Sequence, residues 1–112
     1  MDKEIMKGSI DILLLSLVSR QDMYGYEMVK SLKVSSEDLY EMGEGTLYPA
    51  LKRLEKKGWM ESYWREVEPG PRRKYYRITL NGQEELERKQ SEWDKITALI
   101  KTVRRDLRGS EA

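Results

Sequence analysis

The sequence lacks both cysteine and histidine, and these absences restrict the chemistry open to it. Without cysteine there is no disulfide, no thiolate nucleophile and no sulfur ligand for zinc or an iron–sulfur cluster. Without histidine the commonest general base and the commonest metal ligand are both missing. We therefore expect no metal and no cofactor, and the only catalytic class left open is an enzyme based on carboxylates or lysine.

Long apolar runs are also missing. The longest, Ile12 to Val18, is interrupted by Ser16 and is far shorter than the roughly 20 residues that span a bilayer. Asp2 and Glu4 at the start, with no small-residue cleavage site, argue against a signal peptide. We expect a cytoplasmic protein without membrane contact, and its 112 residues suit one small domain.

Charge is close to balanced overall but unevenly distributed. The net charge is +1, whereas residues 46–77 contain nine basic and four acidic side chains. A basic central segment on an acidic remainder is typical of proteins that bind nucleic acid. A solvated charged surface gives the same pattern, so the charge alone indicates such a partner only weakly.

Two helical segments are expected in the first third of the chain. The first, Lys3 to Arg20, carries apolar residues around most of its circumference, so it should be buried on two sides. One side would face the domain core, and the other needs a partner. The second should begin after Asp22 as its N-cap, with Tyr26, Val29 and Leu32 facing the core.

The third helix is expected to begin at Thr46, with Pro49 in its first turn, and to end at Gly58 in a left-handed cap. Its apolar positions recur at i, i+4 and i+7 and should face the core: Leu47, Leu51 and Leu54. The opposite face presents Tyr48, Lys52, Arg53 and Lys56.

Two strand-like runs follow, Trp59 to Val67 and Arg72 to Ile78, with the turn signal Glu68-Pro69-Gly70-Pro71 between them. They predict a two-stranded hairpin, which needs the helices behind it to be stable. The side chains expected to pack on the core are Tyr75, Tyr76 and Ile78.

A long final helix is expected from about Thr79 to Leu107. Its apolar positions are spaced by seven, three, four, three and four residues, which is a heptad seam. The seam consists of Leu86, Trp93, Ile96, Ile100, Val103 and Leu107.

Together these elements predict an α+β, mostly helical fold, namely a winged helix-turn-helix DNA-binding domain plus a long C-terminal dimerisation helix. The domain would comprise residues 1–79, with the wing at about 59–78. The dimerisation helix would comprise residues 80–108, and residues 109–112 would form a frayed tail.

Three blocks of the sequence carry a more specific signal than the order of the elements. They are Met23-Tyr24-Gly25-Tyr26-Glu27, Gly45-Thr46-Leu47-Tyr48-Pro49-Ala50-Leu51-Lys52-Arg53-Leu54-Glu55 and Gly70-Pro71-Arg72-Arg73-Lys74-Tyr75-Tyr76-Arg77-Ile78-Thr79. In type, order and separation they resemble the signature blocks of the PadR family of transcriptional regulators. The single helix after the wing resembles the small subclass, which includes multidrug-binding repressors. This resemblance implies that the protein is a sequence-specific DNA-binding regulator and that it acts as a repressor.

In a winged helix-turn-helix, the N-terminal part of the recognition helix contacts base edges in the major groove, while nearby groups bind phosphates. The expected DNA-binding residues are Tyr24, Gly25, Thr46, Tyr48, Pro49, Lys52, Arg53, Arg72, Arg73 and Lys74. Three alternatives stay open. Thr46 could be only an N-cap with Tyr48 half-buried, Gly25 could mark close helix packing, and the wing cations could form a solvated surface.

One such domain contacts too little DNA for strong specificity, so we expect a homodimer on a palindromic operator in double-stranded DNA. The heptad seam and the spare face of the first helix would supply the contacts. The expected interface residues are Ile10, Leu14, Leu86, Trp93, Ile96, Ile100, Val103 and Leu107.

Trp93 is large for a seam position and would hold neighbouring helices apart. A gap lined by two tryptophan rings suits a flat aromatic ligand, and in the multidrug-binding relatives a tryptophan at the corresponding place sandwiches the ligand. The expected residues of such an effector site are Trp93, Leu13, Leu17, Ile96, Asp94 and Ile100. Alternatively, Trp93 only packs against the first helix.

Two other classes of function compete with the DNA-binding regulator. A winged helix can be a protein–protein interaction module without DNA-binding activity, and a near-neutral net charge suits that role. An enzyme could use Glu37, Asp38, Glu41 and Glu44, but their polar segment lacks the apolar surroundings that raise a carboxyl pKa. Tight, salt-dependent binding of duplex DNA would distinguish the regulator from both.

Overall fold

The computed structural model describes the backbone of residues 1–111 and the side chains of residues 1–106. Its elements in chain order are α1 (Lys3–Lys7), α2 (Ile10–Arg20), β1 (Met23–Tyr24), α3 (Gly25–Ser35), α4 (Glu44–Lys56), β2 (Met60–Arg65), β3 (Arg73–Ile78) and α5 (Leu80–Glu111). The molecule measures 66 × 30 × 21 Å because α5 extends away from the other elements. Within the described residues, every helix is too short or too polar to cross a lipid bilayer.

The hydrophobic core lies between α2, α3, α4 and the sheet. Leu47, Leu51 and Leu54 of α4 are almost completely buried, as their spacing predicted. Met60 and Tyr76 close the core from the side of the sheet. Gly58, directly after the last turn of α4, has a φ of +78°, so the expected left-handed cap is confirmed.

The first segment is two helices rather than the single helix expected from Lys3 to Arg20. Gly8 and Ser9 separate α1 from α2. Glycine is a poor helix former, and the Ser9 hydroxyl donates a hydrogen bond to the Ile5 carbonyl oxygen, which competes with regular helix continuation. The Asp2 carboxylate caps α1 by accepting hydrogen bonds from backbone N–H groups in its first turn.

The start of α3 also differs from the expectation. Asp22 is not its N-cap, because the helix begins at Gly25 and the Asp22 carboxylate instead accepts a hydrogen bond from the Tyr63 hydroxyl. The Tyr24 backbone N–H, at the end of β1, donates to the Glu27 carboxylate over 3.2 Å. This bond satisfies one of the amide groups that a helix start leaves without a partner.

The inward face of α3 consists of Gly25, Met28 and Leu32, which are buried. Tyr26, expected in the core, is 65% exposed. Tyr26 follows the buried Gly25 and is rotated out of the stripe that packs on the core, whereas Val29 is half-buried against the core and Leu32 lies in the stripe. The expectation for Tyr26 is therefore wrong, whereas that for Leu32 is confirmed.

The sheet has three antiparallel strands in the order β1-β3-β2, not two. The added strand, β1, pairs Met23 with Tyr76 and Tyr24 with Tyr75. Because a strand alternates its side chains between two faces, Met23 and Tyr76 point into the core and Tyr24 and Tyr75 point away from α4. The start of α3 is thereby attached directly to the wing.

Helix α5 begins where it was expected. The Thr79 hydroxyl accepts a hydrogen bond from the Gly82 backbone N–H over 3.0 Å and donates one to the Gly58 carbonyl oxygen over 2.6 Å. The helix continues to Glu111, so the expected end near Leu107 and the frayed tail beginning at Gly109 are corrected. Ala112 lies outside the described residues.

Candidate nucleic-acid interface

Helix α4 exposes Tyr48, Lys52, Arg53 and Lys56 opposite its buried leucines, as expected, and two stripes can be distinguished on this exposed side. Tyr48 and Lys52 are one turn apart on the first stripe, and Thr46, Pro49 and Arg53 form the second. The helix begins at Glu44, so Thr46 lies in the first turn and is not the N-cap. Both stripes lie outside the buried row of leucines, and the exposed start of α4 is free to enter a groove of DNA.

Arg53 lies on the side of α4 that faces α2. Its guanidinium forms an ion pair with the Asp11 carboxylate, although Arg53 was expected to contact DNA. The second stripe borders a cleft of about 650 Å³ between α2, α4 and α5, and Thr46 and Pro49 line the same cleft. Of the two cations expected to contact DNA from α4, only Lys52 lies outside this cleft and without an ion pair among the described side chains.

Gly25 allows α3 to approach α4 closely. A Cβ atom at this position would lie 2.9 Å from the Tyr48 hydroxyl oxygen and 3.3 Å from the Leu47 side chain. The alternative of close helix packing is thus what the structure shows for Gly25, which is buried. The contact brings the Tyr48 ring of α4 beside the first residue of α3.

The wing cations do not form the single cluster that their adjacency in sequence suggested. Arg72 stacks on Trp64, with its guanidinium carbon 4.7 Å from the ring centroid. The Lys74 ammonium lies 5.7 Å from the Tyr76 ring on the same face of the hairpin, which is the face toward α4. Arg73 points to the opposite face, since successive residues of a strand alternate.

That opposite face, hereafter the outer face of the sheet, carries a row of three tyrosines, one from each strand. Tyr63 stacks on Tyr75 at 5.8 Å between centroids, and Tyr24 meets Tyr75 edge-on at 5.5 Å. Arg73 lies 4.5 Å above the Tyr24 ring and donates a hydrogen bond from Nη1 to the Tyr24 hydroxyl over 3.0 Å. Wing and helix start are therefore joined through Arg73 and Tyr24.

Two groups at the base of the outer face have shifted pKa values. Hydrogen bonding to the Asp22 carboxylate raises the pKa of the Tyr63 hydroxyl, because deprotonation would place two anions together. The Glu61 carboxylate, 2.7 Å from Nε of Arg77, raises the pKa of that guanidinium in the same electrostatic manner. Both groups keep their ordinary charge at neutral pH, so Arg77 and Glu61 neutralise each other.

Three exposed side chains at the start of α3 and on the wing were not among the expected DNA-binding residues, namely Tyr26, Trp64 and Arg65, and Tyr26 had been assigned to the core. Trp64 and Arg65 were seen only as part of a strand-like run. The period-two alternation of the two strands contained a usable signal, because it assigns Arg65 and Arg73 to one face and Trp64 and Lys74 to the other. The exposure of Tyr26 could be recognised only once the structure showed which residues of α3 face the core.

The residues expected to form an effector site are distributed over several places. Trp93 and Ile96 line the cleft between α2, α4 and α5, together with Ile10. Leu17 is buried in the core and Leu13 packs against it, because α2 turns that face inward. Neither side chain lines the cleft beside Trp93, and a contribution of either one to an effector site stays a prediction.

Asp94 and Ile100 also lie outside that cleft. Asp94 borders a neighbouring depression beside Ser16 and accepts a hydrogen bond from the Gln90 side chain over 3.0 Å. Ile100 lies one turn beyond Ile96 on α5, where its side chain is exposed. The helical rotation between Trp93 and Asp94 explains their separation, since adjacent residues differ by about 100° around the axis.

The expected dimer seam is exposed over most of its length. Trp93, Ile96, Ile100 and Val103 are 43–55% exposed, and Leu99 beside them is 61% exposed. Leu14 is completely buried in the core, so its assignment to an interface is wrong. Leu86 packs against the same core, and the side chain of Leu107 lies outside the described residues.

The fold and this surface define a winged-helix protein with an exposed recognition helix and a basic wing. Residues 14–88 match the model of the transcriptional regulator PadR-like family. The chain belongs to this family, and it is accordingly a DNA-binding transcriptional regulator rather than an enzyme. The resemblance inferred from the three sequence blocks is thereby confirmed.

Solved structures and a sequence relative agree with this membership. A transcriptional regulator from Clostridium thermocellum superposes with a TM-score of 0.83 at 37% identity, over 91% of this chain and 96% of that one. A PadR family transcription regulator from Clostridium difficile R20291 gives 0.72 at 39% identity, over 84% and 96%. An uncharacterized protein of Lysinibacillus sphaericus is 36% identical over 97 residues, which is 87% of this chain and 89% of that protein.

Proposed function

We propose that the protein is a homodimeric, cytoplasmic repressor that binds a palindromic operator and is released by a flat aromatic effector. The observation that carries the proposal is the exposed apolar stripe of α5, formed by Trp93, Ile96, Leu99, Ile100 and Val103. Soluble proteins rarely expose contiguous large apolar side chains without using them for an interaction. The three-four spacing of the stripe is that of a helix packed against another helix.

A second copy of the chain is the natural occupant of that stripe. One winged domain offers one recognition helix, and such helices read operators in pairs separated by about one turn of DNA. Because a two-fold dimer places identical surfaces on both half-sites, the operator should be palindromic. The repressor role follows the resemblance to the multidrug-binding repressors of the family.

The cleft beside Trp93 supports the effector part of the proposal. It is lined by Trp93 and Ile96 of α5, and also by Thr46 and Pro49 of the recognition helix. An aromatic molecule stacked on Trp93 would therefore touch the element that contacts DNA. A ligand that fits only one arrangement of α4 and α5 shifts the population toward that arrangement and so changes DNA affinity.

The experiment that tests the proposal places a charge in the stripe and measures assembly and DNA binding together. Ile100→Asp should shift the sedimenting species from dimer to monomer at micromolar concentration, since burying an unpaired carboxylate in an apolar interface is costly. Operator affinity should fall by at least about 100-fold, because each monomer retains only one half-site. Thr102→Asp, an exposed position on the same turn but outside the stripe, is the matched control and should leave both unchanged.

The operator itself is obtained by selecting bound sequences from random duplex DNA with the wild-type protein. Two inverted half-sites are expected. If the wild-type chain sediments as a monomer and selects a single unrepeated site, the dimeric part of the proposal is wrong while the family assignment stands.

A further inference from the structure

The outer face of the sheet is ordered in three rows across the strands. The middle row is Tyr24, Tyr75 and Tyr63. On one side of it Arg77 lies directly opposite Glu61, and on the other side Arg73 lies directly opposite Arg65. All of these side chains share one face because their positions differ by two along each strand.

The two outer rows differ in their charges. Arg77 and Glu61 form an ion pair of 2.7 Å, the arrangement expected of a cross-strand pair that stabilises a sheet. Arg65 and Arg73 carry the same charge, and their Cβ atoms are about 5 Å apart by the geometry of directly opposed residues. Among the side chains of residues 1–106, no carboxylate lies within ion-pair distance of either guanidinium. Such a like-charge pair destabilises the hairpin unless an anion binds between its members.

Both guanidinium groups are held in place by the tyrosine row. Arg65 lies 5.2 Å above the Tyr75 ring and Arg73 lies 4.5 Å above the Tyr24 ring. The Tyr24 hydroxyl accepts a hydrogen bond from Arg73, so its own hydrogen is still available to donate. The Tyr24 and Tyr75 rings that hold them are 5.5 Å apart between centroids, so the two planar cations lie over neighbouring rings of the row. Because both are already held by stacking, little side-chain entropy is lost when an anion binds beside them.

We propose that Arg65, Arg73 and Tyr24 together bind a single phosphate group of the DNA backbone. Guanidinium forks match phosphate oxygens in shape and charge, and paired arginines recognise them better than lysines do. The proposal rests on the function proposed above, and it adds Arg65 as a DNA-binding residue on the strand β2. Arg77 lies on the same face of β3 as Arg73, but it is already paired with Glu61, so we assign it a structural role instead.

The first test compares Arg65→Gln with Arg77→Gln on duplex operator DNA across a range of salt concentrations. Arg65→Gln should weaken binding by about tenfold at moderate salt, since a charge-assisted contact to phosphate is lost. The slope of log affinity against log salt should become shallower by up to about one. Arg77→Gln removes the same charge from the same face and should change affinity less than about twofold.

The double variant tests whether the two arginines bind the same phosphate. If Arg65 and Arg73 contact the same group, Arg65→Gln/Arg73→Gln should lower the slope by about one in total and not by two. Equal losses for Arg65→Gln and Arg77→Gln would attribute the effect to general charge and overturn the site. Unchanged affinity of Arg65→Gln would overturn it as well.

The second test needs no DNA and separates this inference from the proposed function. Inorganic phosphate should raise the melting temperature of the wild-type protein more than that of Arg65→Gln, because an anion that binds only the folded state stabilises it. Arg77→Gln should respond like the wild type. If the wild type binds no duplex, the proposed function fails and the DNA assignment with it. If duplex binds but the phosphate response of Arg65→Gln equals that of the wild type, only the arginine site is wrong.

Discussion

At Gly82 the absence of a side chain lets α5 begin against the hairpin. A Cβ atom there would lie 2.0 Å from the Trp59 carbonyl oxygen and 2.8 Å from the Ile78 side chain. We expect Gly82→Ala to lower the free energy of unfolding by about 2 kcal/mol, because overpacking outweighs the better helix propensity of alanine. Urea denaturation followed by circular dichroism measures the change.

Gly45 supplies the opposite case in the first turn of α4. A Cβ atom there meets nothing within 4 Å. Gly45→Ala should therefore raise the free energy of unfolding by about 0.5–1 kcal/mol through helix propensity alone. If Gly82→Ala raises the free energy of unfolding as Gly45→Ala does, the close approach of α5 to Trp59 does not exclude a side chain at position 82.

Residue roles could be inferred from the sequence where one periodicity dominates. The leucines of α4 repeat on one narrow stripe, and all three are buried as predicted. In α2 seven of the eleven positions are apolar, so periodicity could not separate the core-facing Leu14 and Leu17 from the half-exposed Ile10. Only the packing of neighbouring elements decides which side of such a helix faces inward.

At the scale of the element, the two stripes of α4 lead to a prediction about neighbouring cations. Lys52→Ala should weaken operator binding about five- to tenfold and reduce the salt slope by about one, as for a phosphate contact. Arg53→Ala should change operator affinity less than about twofold, since its guanidinium is paired with Asp11 on the side facing α2. Fluorescence anisotropy with labelled operator distinguishes the two.

The free energy of unfolding provides a complementary measurement for the Arg53 and Lys52 variants. Arg53→Ala breaks a partly exposed ion pair and should cost at most about 1 kcal/mol of unfolding free energy. Lys52→Ala should cost nothing measurable, because its side chain is exposed and alanine is a strong helix former. Should Arg53→Ala weaken DNA binding as strongly as Lys52→Ala, the assignment of Arg53 to the second stripe, away from DNA, would be contradicted.

Element boundaries show where sequence reasoning reached its limit. The hairpin was predicted because both strands are long enough to alternate and a turn signal joins them. Strand β1 has two residues, Met23 and Tyr24, which is too short for any period, and it forms only by pairing with Tyr75 and Tyr76 some 50 positions later. The break at Gly8 was missed for a related reason, because one glycine in an apolar segment is compatible with an uninterrupted helix.

At the scale of the whole molecule, fold class and family were accessible because three motif blocks occur in one order. The arrangement of the outer face was not, since it depends on strand register and on a third strand joined from outside the hairpin. The same register attaches Tyr24, and with it the start of α3, to the wing. We therefore expect DNA binding to depend on the assembled domain and not on α4 alone.

The cleft beside Trp93 gives the last prediction at this scale. A planar aromatic dye should quench the tryptophan fluorescence of the wild-type protein by stacking on Trp93, and Trp93→Ala should bind it at least about tenfold more weakly. Trp64→Phe is the matched control, because it removes an exposed indole on the wing and leaves the cleft intact. Linkage then requires that operator DNA weaken dye binding by the same factor by which dye weakens operator binding. Equal dye affinity in both variants, with Trp93→Ala still sedimenting as the wild type does, would remove Trp93 from the effector site and leave it a packing residue of the α5 stripe.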